Sequence, residues 1–206
     1  MSKLKFPHAS GNSVSIAAPA TNPASDRTLY LPSNADGTIR TTTTSGAQLQ
    51  VVSTAKTDTW TDTSQSWVDV TGFSLNITPA SSSNKILIIL DAKVSQGTAT
   101  RELYLKIVRT ISSTAADVYV GDAAGSRQRC TYGFEDADAD NAAFEMKQVH
   151  GTFLDSPNTT SQINYKIQMR CGTNGGNIYV NRTGTDTDNA NFPRCASSIT
   201  ALEVAG

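Results

Sequence analysis

The chain has few charged residues, and neither sign is in excess. Charged residues make up 17% of the 206 residues, against about 25% in an average soluble protein. The chain has 17 Lys+Arg and 18 Asp+Glu residues, so the formal net charge is only -1. No basic surplus is available to attract a phosphate backbone. We therefore expect no nucleic-acid partner.

Long apolar runs are also missing. The longest aliphatic run is the stretch ILIIL at residues 86–90, far shorter than the roughly 20 apolar residues that cross a bilayer. The first residues, MSKLKFP, carry lysines but no apolar stretch like that of a secretory signal. These absences predict a chain that does not insert into membranes and is synthesised in the cytoplasm.

Cysteine is scarce, odd in number and widely spaced. Cys130, Cys171 and Cys195 are the three cysteines of the chain, and this spacing fits neither a disulfide framework nor a Cys-x-x-Cys zinc ribbon. We expect buried free thiols, because unpaired cysteine is often found in protein interiors.

What the chain has instead is Ser, Thr, Asn and Gly among short alternating apolar runs, which is typical of an all-β protein. The clearest alternation buries Ile163, Tyr165, Ile167 and Met169 on one face of a strand. From residue 47 onward, eight to ten such runs predict an antiparallel two-sheet sandwich of jelly-roll type. The run at residues 86–90 predicts a strand buried on both faces. The final strand, residues 197–204, is expected either to lie centrally or to press against a neighbouring subunit.

Residues 1–46 differ from the rest of the chain and hold four of the seven prolines. Short alternating runs predict strands at residues 13–16 and 28–31, and a hairpin of this size is marginal alone. Its apolar residues therefore need partners outside the segment, namely the following domain, sister subunits or a larger surface. They are Val14, Ile16, Leu29, Leu31 and Ile39. We predict an extended attachment and trimerisation segment at 1–46 and a sandwich at 47–206.

No catalytic motif is visible, and we expect a non-enzymatic protein. The two histidines, His8 and His150, stand outside any Gly-x-Ser-x-Gly, His-Glu-x-x-His or phosphate-loop pattern. A carboxylate pair for glycoside hydrolysis stays open as an alternative, because the separation of such a pair is spatial.

An acidic stretch is the one candidate metal site, with carboxylates at the alternate positions Asp136, Asp138 and Asp140. Such spacing matches the first half of a calcium loop. The second half fails, because Asn141 replaces the turn glycine and Lys147 stands where a bidentate glutamate belongs. A solvated loop is favoured, and no cofactor is expected.

Two further features could contact ligands. A second Asp-rich stretch at residues 184–189 could complete a split calcium site with the first. Aromatic side chains could stack on glycans, although core packing is favoured for Trp67. The candidates are Trp60, Trp67, Tyr104, Tyr132 and Tyr179.

Residues 4–43, LKFPHASGNSVSIAAPATNPASDRTLYLPSNADGTIRTTT, resemble an N-terminal module of tailed-bacteriophage virion proteins, notably those of cyanophages and other marine phages. Downstream motifs such as SWVDVTGFSLNITP and IYVNRTGTDTDNANFPRCASSITALEVAG are similar to the β domain that commonly follows it. The resemblance implies a homotrimer on the virion surface.

Three functions are compatible with that resemblance. The first is a fibre or tail-associated protein, anchored by its N-terminal segment to phage capsid or tail proteins, with a sandwich that contacts a host glycan or receptor. The second is a decoration protein that stabilises the head lattice. The third, from a different class, is a polysaccharide-degrading tailspike.

Overall fold

The computed structural model describes residues 3–7, 10–11, 13–17, 46–97, 102–135, 143–172 and 176–206. Within these residues, no helix is long and apolar enough to cross a membrane. The chain divides into two compact units, residues 1–39 and 40–206. The division predicted at residue 46 stays a prediction.

The first unit contains a two-stranded antiparallel sheet of β1 (Lys3–Pro7) and β2 (Ser13–Ala17). Strand β2 contains the strand predicted at residues 13–16. Its partner β1 was not singled out by the sequence pattern. The second predicted strand, residues 28–31, lies outside the described residues.

The second unit contains eleven strands, all paired antiparallel. They are β3 (Gln48–Lys56), β4 (Trp60–Asp62), β5 (Val68–Ile77), β6 (Lys85–Gln96), β7 (Glu102–Ile111), β8 (Thr114–Val118), β9 (Tyr132–Glu135), β10 (Lys147–Asp155), β11 (Ile163–Cys171), β12 (Ile178–Val180) and β13 (Ser197–Val204).

The strands form two sheets. In the first sheet the order is β3, β13, β6 and β10, and the short strands β12 and β4 extend it beside the far end of β6. In the second sheet the order is β5, β11, β7 and β8, and β9 also pairs with β7. When the eight main strands are counted along the chain, the orders are 1-8-3-6 and 2-7-4-5. This is the two-sheet arrangement of a jelly roll, so the predicted fold class is confirmed.

The core lies between the two sheets. The alternation predicted for β11 is confirmed, because Ile163, Tyr165, Ile167 and Met169 are fully buried. Facing them are Ile86, Ile88 and Leu90 of β6. Burial of one such aliphatic side chain contributes about 1.5–3 kcal/mol. The sandwich is therefore stabilised by side chains that alternate in and out along each strand.

The structure contradicts the sequence prediction for β6 and decides between the two positions predicted for β13. The prediction that residues 86–90 are buried on both faces is wrong, because Ile89 is 40% exposed and Leu87 is only half-buried. These two side chains point away from the core. The final strand β13 is central, between β3 and β6.

The cysteines are all free, as predicted. Cys171 is buried, whereas Cys130 and Cys195 are only partly buried. Burial raises the pKa of the Cys171 thiol above its usual value, which keeps this thiol protonated and poorly nucleophilic.

Candidate functional site

An apolar row crosses the outer face of the first sheet, the face whose side chains point away from the core. Its four members lie directly opposite one another on neighbouring strands: Val51 opposite Leu202, Leu202 opposite Leu87, and Leu87 opposite Leu154. Val51 is 51% exposed and Leu154 is 56% exposed. We call Val51, Leu202, Leu87 and Leu154 the apolar row.

A second row lies beside the apolar row and is also uncharged. It consists of Ser53, Thr200, Ile89 and Thr152, again in direct cross-strand register. The Ser53 and Thr200 hydroxyls lie 2.7 Å apart and share a hydrogen bond. We call this set the hydroxyl row. The two rows place five aliphatic and three hydroxyl side chains, and no charged one, on a face that would ordinarily be polar in a solvated antiparallel sheet.

Charged groups border this uncharged surface on both sides. On one side Asp91 Oδ1 accepts hydrogen bonds from Lys93 Nζ at 2.5 Å and Gln148 Nε2 at 3.0 Å. Burial raises the pKa of Asp91. The two hydrogen bonds and the nearby charge of Lys93 together lower it by more, so the pKa of Asp91 is below its usual value. On the other side Lys85 lies opposite Val204. The outer face is thus an uncharged band between two borders. We call the side where Asp91 is ion-paired with Lys93 the carboxylate border and the side of Lys85 the lysine border.

A buried glutamate fixes the strands at the Val51 and Leu202 end of the apolar row. Glu203 points inward from β13 and accepts hydrogen bonds from Ala80 N at 2.7 Å and Asn84 Nδ2 at 2.6 Å. Gln50 Nε2 donates a third at 3.2 Å. Three donors satisfy the buried carboxylate, and they join β3, β13 and the segment after β5.

A buried aspartate fixes strand β10 at the Leu154 end of the apolar row. Asp155 accepts two hydrogen bonds from Arg109 Nη1, at 2.8 and 2.9 Å, and one from the Tyr165 hydroxyl at 2.6 Å. Arg109 and Tyr165 belong to the second sheet, so the end of β10 is bonded across the sandwich. The apolar row therefore rests on strands that are fixed at both sheet edges.

The residues predicted for attachment and metal binding lie mostly outside the described part of the chain. This is the case for Leu29, Leu31 and Ile39, and for Asp136, Asp138 and Asp140. Val14 and Ile16 lie on β2, with side chains outside the described set. All these assignments remain predictions.

The second Asp-rich stretch is engaged in ion pairs. Both carboxylate oxygens of Asp186 accept hydrogen bonds from Arg194 Nη2, at 2.6 and 2.7 Å. Arg182 Nη1 lies 3.2 Å from the same carboxylate. Two guanidinium groups therefore compensate Asp186, and the described residues hold no group of three or more His, Cys, Asp or Glu side chains placed to bind a metal.

Cations cover three of the aromatic rings that could stack on glycans. Lys106 Nζ lies 4.6 Å from the centre of the Trp67 ring, and Arg182 lies 4.4 Å from that of Tyr179. Arg170 lies 5.9 Å from the centre of the Tyr104 ring. Trp60 and Tyr132 pack against the core. All five rings are therefore in contact with other side chains of this chain.

A different aromatic pair lies at the free edge of β10. The Tyr119 ring stacks on Phe153 with centroids 4.8 Å apart. The backbone of Tyr119 is left-handed, with φ at 55°. A shallow depression of about 400 Å³ lies beside it, lined in part by Thr131 and His150. This pair covers the edge between the two sheets, which protects an exposed strand from unwanted pairing.

The sequence reasoning missed the outer face because it assigned the aliphatic run of β6 to the interior. The sequence holds no signal for this face, because all five residues of the run are aliphatic, and only the observed burial separates Leu87 and Ile89 from Ile86, Ile88 and Leu90. The register that aligns Leu87 with Leu154 and Leu202 comes from long-range pairing, and no local pattern contains it.

Comparison with known proteins finds no matching family model and no matching curated protein. Among solved structures, the chain is similar to infectious bursal disease virus Gt strain, with 13% identity over 95% of this chain and 48% of that chain, at a TM-score of 0.40. The chain is also similar to the T13 particle of the same virus, with 13% identity over 95% of this chain and 42% of that chain, at a TM-score of 0.41. For the VP2 subviral particle of that virus, the identity is 11% over 93% of this chain and 51% of that chain, at a TM-score of 0.38.

The chain thus spans about half, or less, of the length of these structures. The jelly-roll assignment rests on the strand pairing described above.

Proposed function

We propose that this chain is a non-enzymatic structural protein of a tailed-phage particle, made in the bacterial cytoplasm and placed on the virion surface. The observation that carries the proposal is the outer face of the first sheet, where the apolar row and the hydroxyl row present eight uncharged side chains. The sequence resemblance to virion proteins supports the same role.

The exposure of these side chains is the physical reason to assign a protein contact. Val51, Ile89 and Leu154 are 40–56% exposed, and burying the rest of each side chain contributes on the order of 1 kcal/mol. Contiguous apolar surface of this kind marks interaction sites in soluble proteins. A rigid sheet also loses little conformational entropy on docking.

In the favoured form of the proposal, the chain is a fibre or tail-associated homotrimer. Residues 1–46 attach it to capsid or tail proteins and trimerise through Val14, Ile16, Leu29, Leu31 and Ile39. The sandwich then faces the host and meets a surface glycan or receptor.

A decoration protein of the head lattice is the second candidate. The observation that favours it is the width of the uncharged band, which crosses all four strands from β3 to β10. A lattice contact uses a broad surface, whereas a site for a small glycan is concave. A polysaccharide-degrading tailspike is the least supported form.

Cryo-microscopy of the intact particle, with antibody labelling of this chain, tests the proposal. We expect density for the chain on the tail or at the head surface, and loss of that density when residues 1–46 are deleted. A particle that lacks the chain altogether would contradict the structural role. Label on the head lattice rather than the tail would select the decoration form.

A further inference from the structure

We propose that the outer face of the first sheet pairs with the same face of a second copy of this chain, about a twofold axis that lies between the two copies, perpendicular to β6 and level with Ile88. The inference rests on the proposed assembly role and names the partner of that face. It is independent of the contact proposed for residues 1–46.

The position of the axis follows from the distribution of side chains along β6. The axis lies between the outer faces of the two copies and is perpendicular to β6. It reverses the strand direction in the second copy, so residues equally distant from Ile88 face each other. Leu87 then faces Ile89, and the apolar row of one copy covers the hydroxyl row of the other. Side chains of two sheets packed in this way interdigitate across about 10 Å.

The same axis also brings opposite charges together. Lys85 and Asp91 are each three residues from Ile88, so each lysine border faces the carboxylate border of the other copy. Lys85 forms no ion pair within the described part of the chain, and the Asp91 side chain is 36% exposed. Asp91 already pairs with Lys93 at 2.5 Å, so Lys85 joins an existing ion pair at this contact. An axis parallel to the strands and centred on β6 would instead place Lys85 over Lys85 of the other copy, where like charges repel.

The area of the face is sufficient for a weak dimer. Four strands at about 4.8 Å spacing and the positions from residue 85 to 93 at about 3.3 Å each outline roughly 500 Å² per copy. The total of roughly 1,000 Å² is near the lower limit of specific interfaces. Because a twofold contact cannot occur within a threefold ring, it joins chains of neighbouring trimers, where many weak contacts act together.

Sedimentation velocity of the full-length protein over a concentration series tests the pairing. We expect the sedimentation coefficient to increase with concentration as copies associate, and at least tenfold weaker association in Leu154→Asp, which places a carboxylate in the apolar row. Phe144→Asp is the control, because Phe144 is 49% exposed in the loop before β10 and lies off the face. Thermal melting of each variant verifies that it is folded.

Carbodiimide crosslinking of a mixture of ¹⁴N- and ¹⁵N-labelled protein tests the axis. We expect crosslinked peptides of mixed isotope composition that join Lys85 to Asp91, and their loss in Lys85→Gln. Association that Leu154→Asp leaves unchanged, or the absence of mixed Lys85–Asp91 crosslinks, would overturn the proposal. Neither result bears on where the chain lies in the particle, so failure of the pairing and failure of the structural role are distinguishable.

Discussion

At the scale of single residues, stability depends on a few buried polar groups with specific partners. Tyr165 is fully buried, and its hydroxyl donates to Asp155 at 2.6 Å. Burial and this hydrogen bond raise the pKa of Tyr165 far above its usual value. Burial also raises the pKa of Tyr104, and Glu102 adds to that effect. Both phenols must therefore stay protonated in the folded state.

These shifts predict that the protein loses stability at high pH. A group with a raised pKa in the folded state contributes fully below its unfolded pKa, about 10 for tyrosine, and that contribution is lost as pH rises above this value. Each such group adds a slope of up to about 1.4 kcal/mol per pH unit. Urea unfolding from pH 8 to 11 measures this decline.

Tyr165→Phe is the matched variant for this experiment. It removes one buried hydrogen bond to the charged Asp155, whose Oδ2 keeps only the Arg109 donor at 2.9 Å, so it lowers the free energy of unfolding at pH 8 by about 1–3 kcal/mol. It also removes one ionisable phenol, so its stability declines less steeply above pH 10. An identical pH slope in the two proteins would show that Tyr165 is not the titrating group.

At the scale of secondary-structure elements, β5 contains an irregularity that glycine permits. The register between β11 and β5 shifts between Lys166, opposite Ser74, and Gln168, opposite Asp69. Gly72 lies in the intervening part of β5 with φ at +75°, a region that L-residues with a Cβ avoid. A Cβ at this position would be 3.7 Å from Lys56 Nζ, which is ordinary contact, so only the backbone conformation opposes substitution.

We therefore expect Gly72→Ala to lower the free energy of unfolding by about 1–2 kcal/mol. Gly121→Ala is the control, because no atom lies within 4 Å of a Cβ at Gly121 and its φ is outside the left-handed region. Its effect should be within about 0.5 kcal/mol. Equal effects of the two substitutions on chemical denaturation would contradict the assignment of strain to β5.

At the scale of the whole molecule, the sandwich holds a complete core of its own. The buried cluster consists of residues between Val70 and Ala201. The ends of the domain are joined by backbone hydrogen bonds, Gly46 N to Ala205 O and Ala205 N to Ala47 O, both at 2.8 Å. All of these groups remain when residues 1–45 are removed.

We expect the chain without residues 1–45 to unfold cooperatively, with a melting midpoint within a few degrees of that of the full chain. Differential scanning calorimetry of the two proteins measures this. A broad, non-cooperative transition in the shorter chain would place essential core contacts before residue 46 and would contradict the predicted division.

Composition and alternation determined the fold class without any tertiary information. Low charge, β-branched residues and a two-residue period were sufficient to predict the jelly-roll sandwich and the inward side chains of β11, because these features depend on local geometry and on the solvation of each side chain. The odd number and wide spacing of the cysteines predicted free thiols, but of the three only Cys171 is buried.

The tertiary structure alone decided the candidate site. Leu154, Leu87, Leu202 and Val51 are far apart in the sequence, and only the cross-strand register aligns them in one row. The aliphatic run of β6 could not reveal its exposed face, because whether a second layer covers a sheet is a property of the assembled sandwich. Local sequence specifies which side chains alternate, whereas the packing of the sheets determines which of the two faces meets water.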